Sequence, residues 1–333
     1  MEQRKRDHIT LAFDSQTPGK ELDPRFVYEP MLSAHPNDAT IPPTDFLGKQ
    51  QKLPMWVSSM TGGTKMAGII NRNLAQACRE FGIGMGLGSC RILLDDDTYF
   101  ADFDIRDVIG KDLPLLANLG INQVEILCTN KQVDKITRLV EKLRADGLFI
   151  HVNPFQEWFQ PEGDRLMRPP IETVQELLEQ VSFPIIVKEV GQGMGIESLR
   201  ALLKLPIAGI EFGAFGGTNF AKLELMRNNE QPKELFEPLS YIGHDACQMV
   251  DAVNSIVAEE GCKIKCQQLI ISGGIKSYLD GYYLIKKSKI PAIYGQASTF
   301  LKHSLQNYEP LREFMLHQVS GLKMAYAYLR VRE

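Results

Sequence analysis

Eight short apolar runs, each closing on glycine or a small polar residue, alternate along this chain with segments of helical character, and that alternation limits its fold more than anything else. The runs are LPMWVSSM ending at Met60, IGMGLGS at Ser89, PLLANLG at Gly120, LFIHVNP at Pro154, PIIVKEVG at Gly191, AGIEFGAFGG at Gly217, QLIISGG at Gly274 and IPAIYGQA at Ala297. Helical segments are predicted at 68–81, 132–145, 171–181, 196–203, 245–260 and 277–287. Such alternation predicts an α/β protein with a parallel sheet. Eight units fit a (β/α)8 TIM barrel, which takes about 250 residues and places its active site on the loops after the strands. A doubly wound sheet would leave two or three runs without a place.

Setting aside residues 1–52 and 218–244 leaves 254 residues, close to that requirement. The organisation expected is therefore an N-terminal arm and cap over 1–52, then a barrel over 53–333 with a long, lid-like insertion at 218–244 after strand six. Six of the 18 prolines fall in the first 52 residues, which show little helical periodicity.

The charge balance, 37 Lys and Arg against 41 Asp and Glu, speaks against nucleic acid as a general partner and leaves room for a local phosphate site. No apolar run approaches the ~20 residues of a membrane-spanning helix. The opening MEQRKRDHIT is too charged for a secretory signal, so the cytoplasm is the expected location. Of the six cysteines only Cys262 and Cys266 are close, whereas a zinc site wants two pairs or histidine partners. Inert thiols in a reducing compartment are the expected reading.

In a barrel, residues at the strand ends converge from distant positions. Here they are polar and glycine-rich: Ser58 to Gly63, Asn118, His151, Asn153, Gln156 and Glu157, Lys188 and Glu189, then Gly216 to Thr218. Ser272-Gly273-Gly274 and Tyr294-Gly295-Gln296-Ala297 follow strands seven and eight, where this fold commonly binds phosphate through backbone N–H groups. The same glycines would also serve tight turns. Alternate glycines at 82, 84, 86 and 88 admit a flat ring against the backbone or a tapering core. Lys188 could form a Schiff base, stabilise an anion or pair with Glu189, though adjacent strand residues face opposite ways. Arg4, Lys5, Arg6 and His8 form the densest basic cluster; it is either a solvated arm or a cover for an anion that Arg91 meets from the other side.

The arm RKRDH at 4–8, with SSMTGG at 58–63, GSCR at 88–91, ANLG at 117–120, HVNPFQE at 151–157, QPEGD at 160–164, VKEVG at 187–191, GGTNF at 216–220 and SGGI at 272–275, resembles type 2 isopentenyl diphosphate isomerase, the flavin-dependent form. The resemblance runs from residue 4 to about 305, and the arm combined with HVNPFQE is its most specific part. Cys90 stands where many members carry Gln.

The resemblance implies interconversion of isopentenyl and dimethylallyl diphosphate with FMN, Mg2+ and NADPH as reductant, without net redox change, in a homo-oligomer such as a tetramer or octamer. It assigns FMN to Met60, Thr61, Ser89, Asn118, Lys188, Thr218, Gly273, Gly274, Gln296 and Ala297. Substrate falls to Arg4, Lys5, His8, Ser89, Arg91, His151 and Asn153; Gln156 lies by the alkene, Glu157 on magnesium, and Glu224 is the acid considered beside the flavin. Gln156, Glu224, Lys188 and His151 are thereby the catalytic candidates. An allylic shift adds one proton and removes another from carbons that do not ionise unaided. The runner-up is an FMN-dependent 2-hydroxy acid oxidoreductase on the same barrel. That chemistry wants a His followed by an Arg after a late strand, and GAFGGTN has neither.

Overall fold

A computed structural model of the chain describes residues 2–59, 62–161, 163–227 and 233–332. Eight parallel strands close on themselves in sequence order: β1 (Met55–Val57), β2 (Gly84–Gly86), β3 (Leu115–Gly120), β4 (Gly147–His151), β5 (Ile185–Lys188), β6 (Gly209–Glu211), β7 (Gln268–Ser272) and β8 (Ala292–Gln296). Seven lie inside one of the eight apolar runs and β4 begins one residue before its own, and the (β/α)8 barrel is confirmed.

Register sorts the strand residues by parity. Trp56 lies opposite Gly84, Gly86 opposite Leu116, Asn118 opposite Phe149, His151 opposite Lys188, Lys188 opposite Glu211, and Ser272 opposite Gly295. The apolar members of this set, Trp56, Leu116, Phe149, Ile186, Ile270 and Ile293, form a separate buried cluster inside the barrel. The opposite parity packs against the helices.

The glycines of β2 belong to this interior. A Cβ on Gly84 would sit 2.3 Å from the Trp56 ring, and one on Gly86 2.6 Å from Phe149, so the tapering core accounts for both. Gly82 instead ends the helix Lys65–Phe81 at φ +68.

The helices match the expected segments to within a few residues where polar caps mark them. Asp245 with Gln248, and Ser277 with Asp280, form capping boxes before Ala246–Glu260 and Tyr278–Lys287. After β8 come the helices Ser298–Ser304 and the 20-residue Glu309–Tyr328. Ile121–Thr129 follows β3 directly, and Pro154–Phe159 lies on the loop after β4.

The N-terminal region contributes in three ways. Residues Glu2–Leu11 are helical, a departure from the expected irregular arm, and all ten are exposed. A hairpin of Thr44–Phe46 and Lys49–Gln51 turns at Leu47-Gly48, both at positive φ, and inserts Phe46 against Trp56 with ring centres 5.2 Å apart. Its neighbours Gln268 and Gly84 lie at strand starts, so this cap plugs the end opposite the active-site loops. Phe26–Tyr28 pairs antiparallel with Leu329–Val331. After β6, the 218–244 connection contains helices Phe220–Arg227 and Lys233–Phe236 and a 3-10 turn Glu237–Tyr241. Phe155, Phe159, Ala221, Leu225 and Phe236 pack it onto the β4 loop. No helix among the described residues is long and apolar enough to cross a membrane.

Candidate active site

The parity that fills the barrel with Trp56 and Phe149 carries polar side chains to its C-terminal end. Asn118, Lys188, Glu211 and Ser272 are all buried there, with His151 partly so. Asn118 Nδ2 donates to the Leu87 carbonyl at 3.0 Å, which turns its Oδ1 toward His151 Nδ1 at 2.8 Å. The imidazole is therefore protonated on Nδ1 and carries a free lone pair on Nε2. Burial, reinforced by Lys188, pushes its pKa down to about 3, so the ring is neutral near pH 7.

A cavity of about 490 Å3 opens beside Lys188, bounded by the loops after β5, β6, β7 and β8. Of the residues assigned to FMN, it brings together Lys188, Thr218, Gly273, Gly274, Gln296 and Ala297. Met60 and Thr61 lie outside the described residues, while Ser89 is exposed on the loop after β2. Gly273 and Gly274 have φ of +88° and +72°, and a Cβ on Gly273 would sit 2.1 Å from the Ala214 carbonyl oxygen. A Cβ on Gly217 would sit 3.2 Å from the Gly274 nitrogen, so two glycine loops meet backbone to backbone. With the N-terminus of Ser298–Ser304 following β8, they make the kind of cradle that binds phosphate in this fold.

The cavity's other walls hold buried oxygens without hydrogen-bond partners: Ser58 Oγ, Ser59 Oγ, Gln296 Oε1 and Glu211 Oε2. Unpartnered buried polar atoms are costly and fit a ligand rich in hydroxyl and amide groups. Sequence reasoning missed Glu211, which reads as one polar residue in an apolar run until register places it beside Lys188. Glu189 faces the other way, and its carboxylate accepts from the Gly191, Gln192 and Gly193 amides at 2.6–2.9 Å. Burial raises its pKa against those bonds.

Across the mouth, the β4 loop carries a hydrogen-bonded chain. Asn153 Nδ2 donates to Gln156 Oε1 at 2.9 Å and Glu157 Oε1 at 3.2 Å; Gln156 Nε2 donates to Glu224 Oε1 at 3.3 Å; Glu224 Oε2 pairs with Arg227 at 2.5 Å. Glu224 is buried although it belongs to the 218–244 connection. Burial raises the pKa of Glu157 against the hydrogen bonds it accepts from Asn153 and the Asp164 amide. No group of three or more His, Cys, Asp or Glu placed to hold a metal ion occurs among the described residues. A single carboxylate with Asn153 Oδ1 unpartnered beside it suits Mg2+ shared with substrate phosphates, not a metal caged by protein alone.

Arg91 sits exposed on the rim and pairs with Asp164 at 3.1 Å. Arg4, Lys5 and His8 stand apart on the exposed helix Glu2–Leu11, whose ion pair runs from Arg6 to Glu2. Cys90 is fully buried with its pKa pushed up to about 12, and all six cysteines are free thiols. A larger, mainly apolar cavity of about 600 Å3 lies between helices Pro170–Leu178 and Ile196–Leu203, and Glu189 lines both it and the cavity beside Lys188.

A closed barrel with its polar residues and glycine loops gathered at the C-terminal end has the layout of a (β/α)8 enzyme. Solved structures agree on the fold. A flavocytochrome b2 mutant with benzoylformate superposes with a TM-score of 0.61 at 15% identity, covering 90% of this chain and 70% of that one. A mandelate oxidase mutant with a monooxide FMN adduct gives 0.55 at 14%, covering 92% and 87%. No protein-family model matches the chain. In sequence it is 35% identical over 312 residues to the isopentenyl-diphosphate delta-isomerase of Rickettsia felis, covering 90% of this chain and 84% of that protein. It is 32% identical over 293 residues to that of Deinococcus radiodurans, covering 87% and 82%. The chain belongs to the isopentenyl-diphosphate delta-isomerase family.

Proposed function

We propose that the chain interconverts isopentenyl and dimethylallyl diphosphate in isoprenoid biosynthesis, with reduced FMN, Mg2+ and NADPH as the reductant. The observation that carries this reading is the Asn153–Gln156–Glu224 chain, which sets proton-bearing groups and the Glu157 carboxylate across the mouth from the glycine cradle. One proton joins the terminal carbon of the alkene and one leaves the carbon on its far side, so the reaction balances without oxidation. Bound reduced FMN supplies a flat electron-rich face and ring positions that hold protons.

Lys188, Thr218, Gly273, Gly274, Gln296 and Ala297 hold the cofactor, with Asn118 and Ser89 beside it. Glu157 takes the metal that neutralises the diphosphate. Arg91, Asn153 and His151 face the diphosphate, and the neutral imidazole gains a proton as that anion arrives. Gln156 and Glu224 lie at the hydrocarbon end, where Gln156 orients the carboxylate that takes or returns a proton. Arg4, Lys5 and His8 complete the anion site when the exposed helix folds onto the mouth. The protein works in the cytoplasm as a homo-oligomer, a tetramer or octamer.

The test is anaerobic incubation of the purified chain with FMN, Mg2+, NADPH and isopentenyl diphosphate, followed by proton NMR. The allylic isomer is the expected product. Its absence, with flavin bleached by a 2-hydroxy acid instead, overturns the proposal for the oxidoreductase reading.

A further inference from the structure

Between the β4 helix and the rim, residue 164 is tied down by its amide, its carbonyl and its carboxylate. The Asp164 amide donates to Glu157 Oε2 at 3.1 Å, and its carbonyl accepts from Asn122 Nδ2 at 2.7 Å. Its Oδ2 receives Gln123 Nε2 at 3.2 Å and Arg91 Nη1 at 3.1 Å. Asn122 and Gln123 are buried in the first turn of Ile121–Thr129, so the carboxylate hangs from the β3 unit while its own amide reaches the β4 unit. The approach is close: a Cβ on Gly163 would lie less than 2 Å from the Glu157 carbonyl oxygen, so only glycine lets the chain return there. An exposed connection needs none of this. An arginine on a rim otherwise swings freely, and a guanidinium spending one donor on a carboxylate keeps four for another anion.

We infer that Asp164 is a positioning residue that locks Arg91 and Glu157 into one unit, so that the guanidinium and the metal-binding carboxylate meet the same diphosphate. The inference rests on the proposed function. Asp164 touches neither the alkene nor the flavin site. It sets the direction of Arg91 through its carboxylate and of Glu157 through its amide.

The test uses the FMN-loaded full chain and inorganic pyrophosphate with Mg2+, titrated by calorimetry. Asp164→Ala is expected to weaken pyrophosphate binding about tenfold, the scale of one charge-assisted hydrogen bond, with FMN retention unchanged. Asp164→Asn, which keeps an acceptor for Arg91, is expected to recover most of that loss; if the alanine variant does not fold, Asp164→Ser, too short to reach Arg91, takes its place with the same expected loss. In the Arg91→Ala background, Asp164→Ala should cost markedly less than it does alone. Unchanged pyrophosphate affinity in the single variant, or losses that simply multiply while FMN is also lost, would overturn the inference. A wild-type chain that binds no pyrophosphate and isomerises nothing overturns the proposed function and this inference with it. A wild-type chain that isomerises while Asp164→Ala binds normally overturns this inference alone.

Discussion

His151 offers the sharpest check on the electrostatics of the site. Its partly buried imidazole lies beside Lys188 and donates Nδ1–H to Asn118, and its pKa falls from 6.5 to about 3. The folded value lies below the unfolded one, so between those limits the unfolded chain binds the proton and the folded chain does not. Stability contributed at neutral pH is therefore lost as pH falls below about 6.5, at up to about 1.4 kcal/mol per pH unit. By pH 5.5 the loss from this one group reaches about 1.4 kcal/mol. NMR of the chain labelled at histidine Cε1 reads the titration directly, and with six histidines the His151→Asn variant identifies the resonance. Asparagine is the apt replacement because its amide can still donate to Asn118. The expected curve for His151 is flat from pH 8 to pH 5 in the free enzyme. Adding magnesium pyrophosphate should move its titration upward, since a nearby anion favours the charged ring. A midpoint near 6.5 in the free enzyme would refute the neutral imidazole and the Lys188 contact behind it.

Gly273→Ala places a side chain at φ +88° and 2.1 Å from the Ala214 carbonyl oxygen. Left-handed strain alone costs about 1–2 kcal/mol, before the clash, so FMN retained through gel filtration should fall at least about tenfold while circular dichroism stays native. Full flavin occupancy would remove the glycine cradle from the cofactor site. Glu157→Gln should raise the magnesium needed for half-maximal turnover by about tenfold or more with FMN still bound. Because burial raises the pKa of Glu157, wild-type magnesium affinity should weaken at a higher pH than a surface carboxylate would give; magnesium titrations across pH 4–7 measure both.

The barrel was legible because its strands are buried on both faces, and such strands write themselves as apolar runs whatever their partners. Caps were legible where a side chain closes a helix locally, as Asp245 and Ser277 do. The exposed helix Glu2–Leu11 was not, since its ten residues bury nothing and leave no apolar stripe to read. Nor was the end of the barrel that the 44–51 hairpin closes, because Phe46 announces burial without saying against what. The site divides along the same line. Lys188, His151 and the paired glycine loops stood out as polar or small residues at strand ends. Glu211 and Asp164 did not, because each acquires meaning from a neighbour far away in the chain: Glu211 from register beside Lys188, Asp164 from Arg91 and Gln123. The β2 glycines show the converse. A flat ligand and a crowded core ask for the same residue, and only the positions of Trp56 and Phe149 decide for the core. Residue type reveals that a position is unusual, whereas parity and register reveal what the position is for. In a closed barrel every strand end faces every other, so the second kind of information is the larger share of the site.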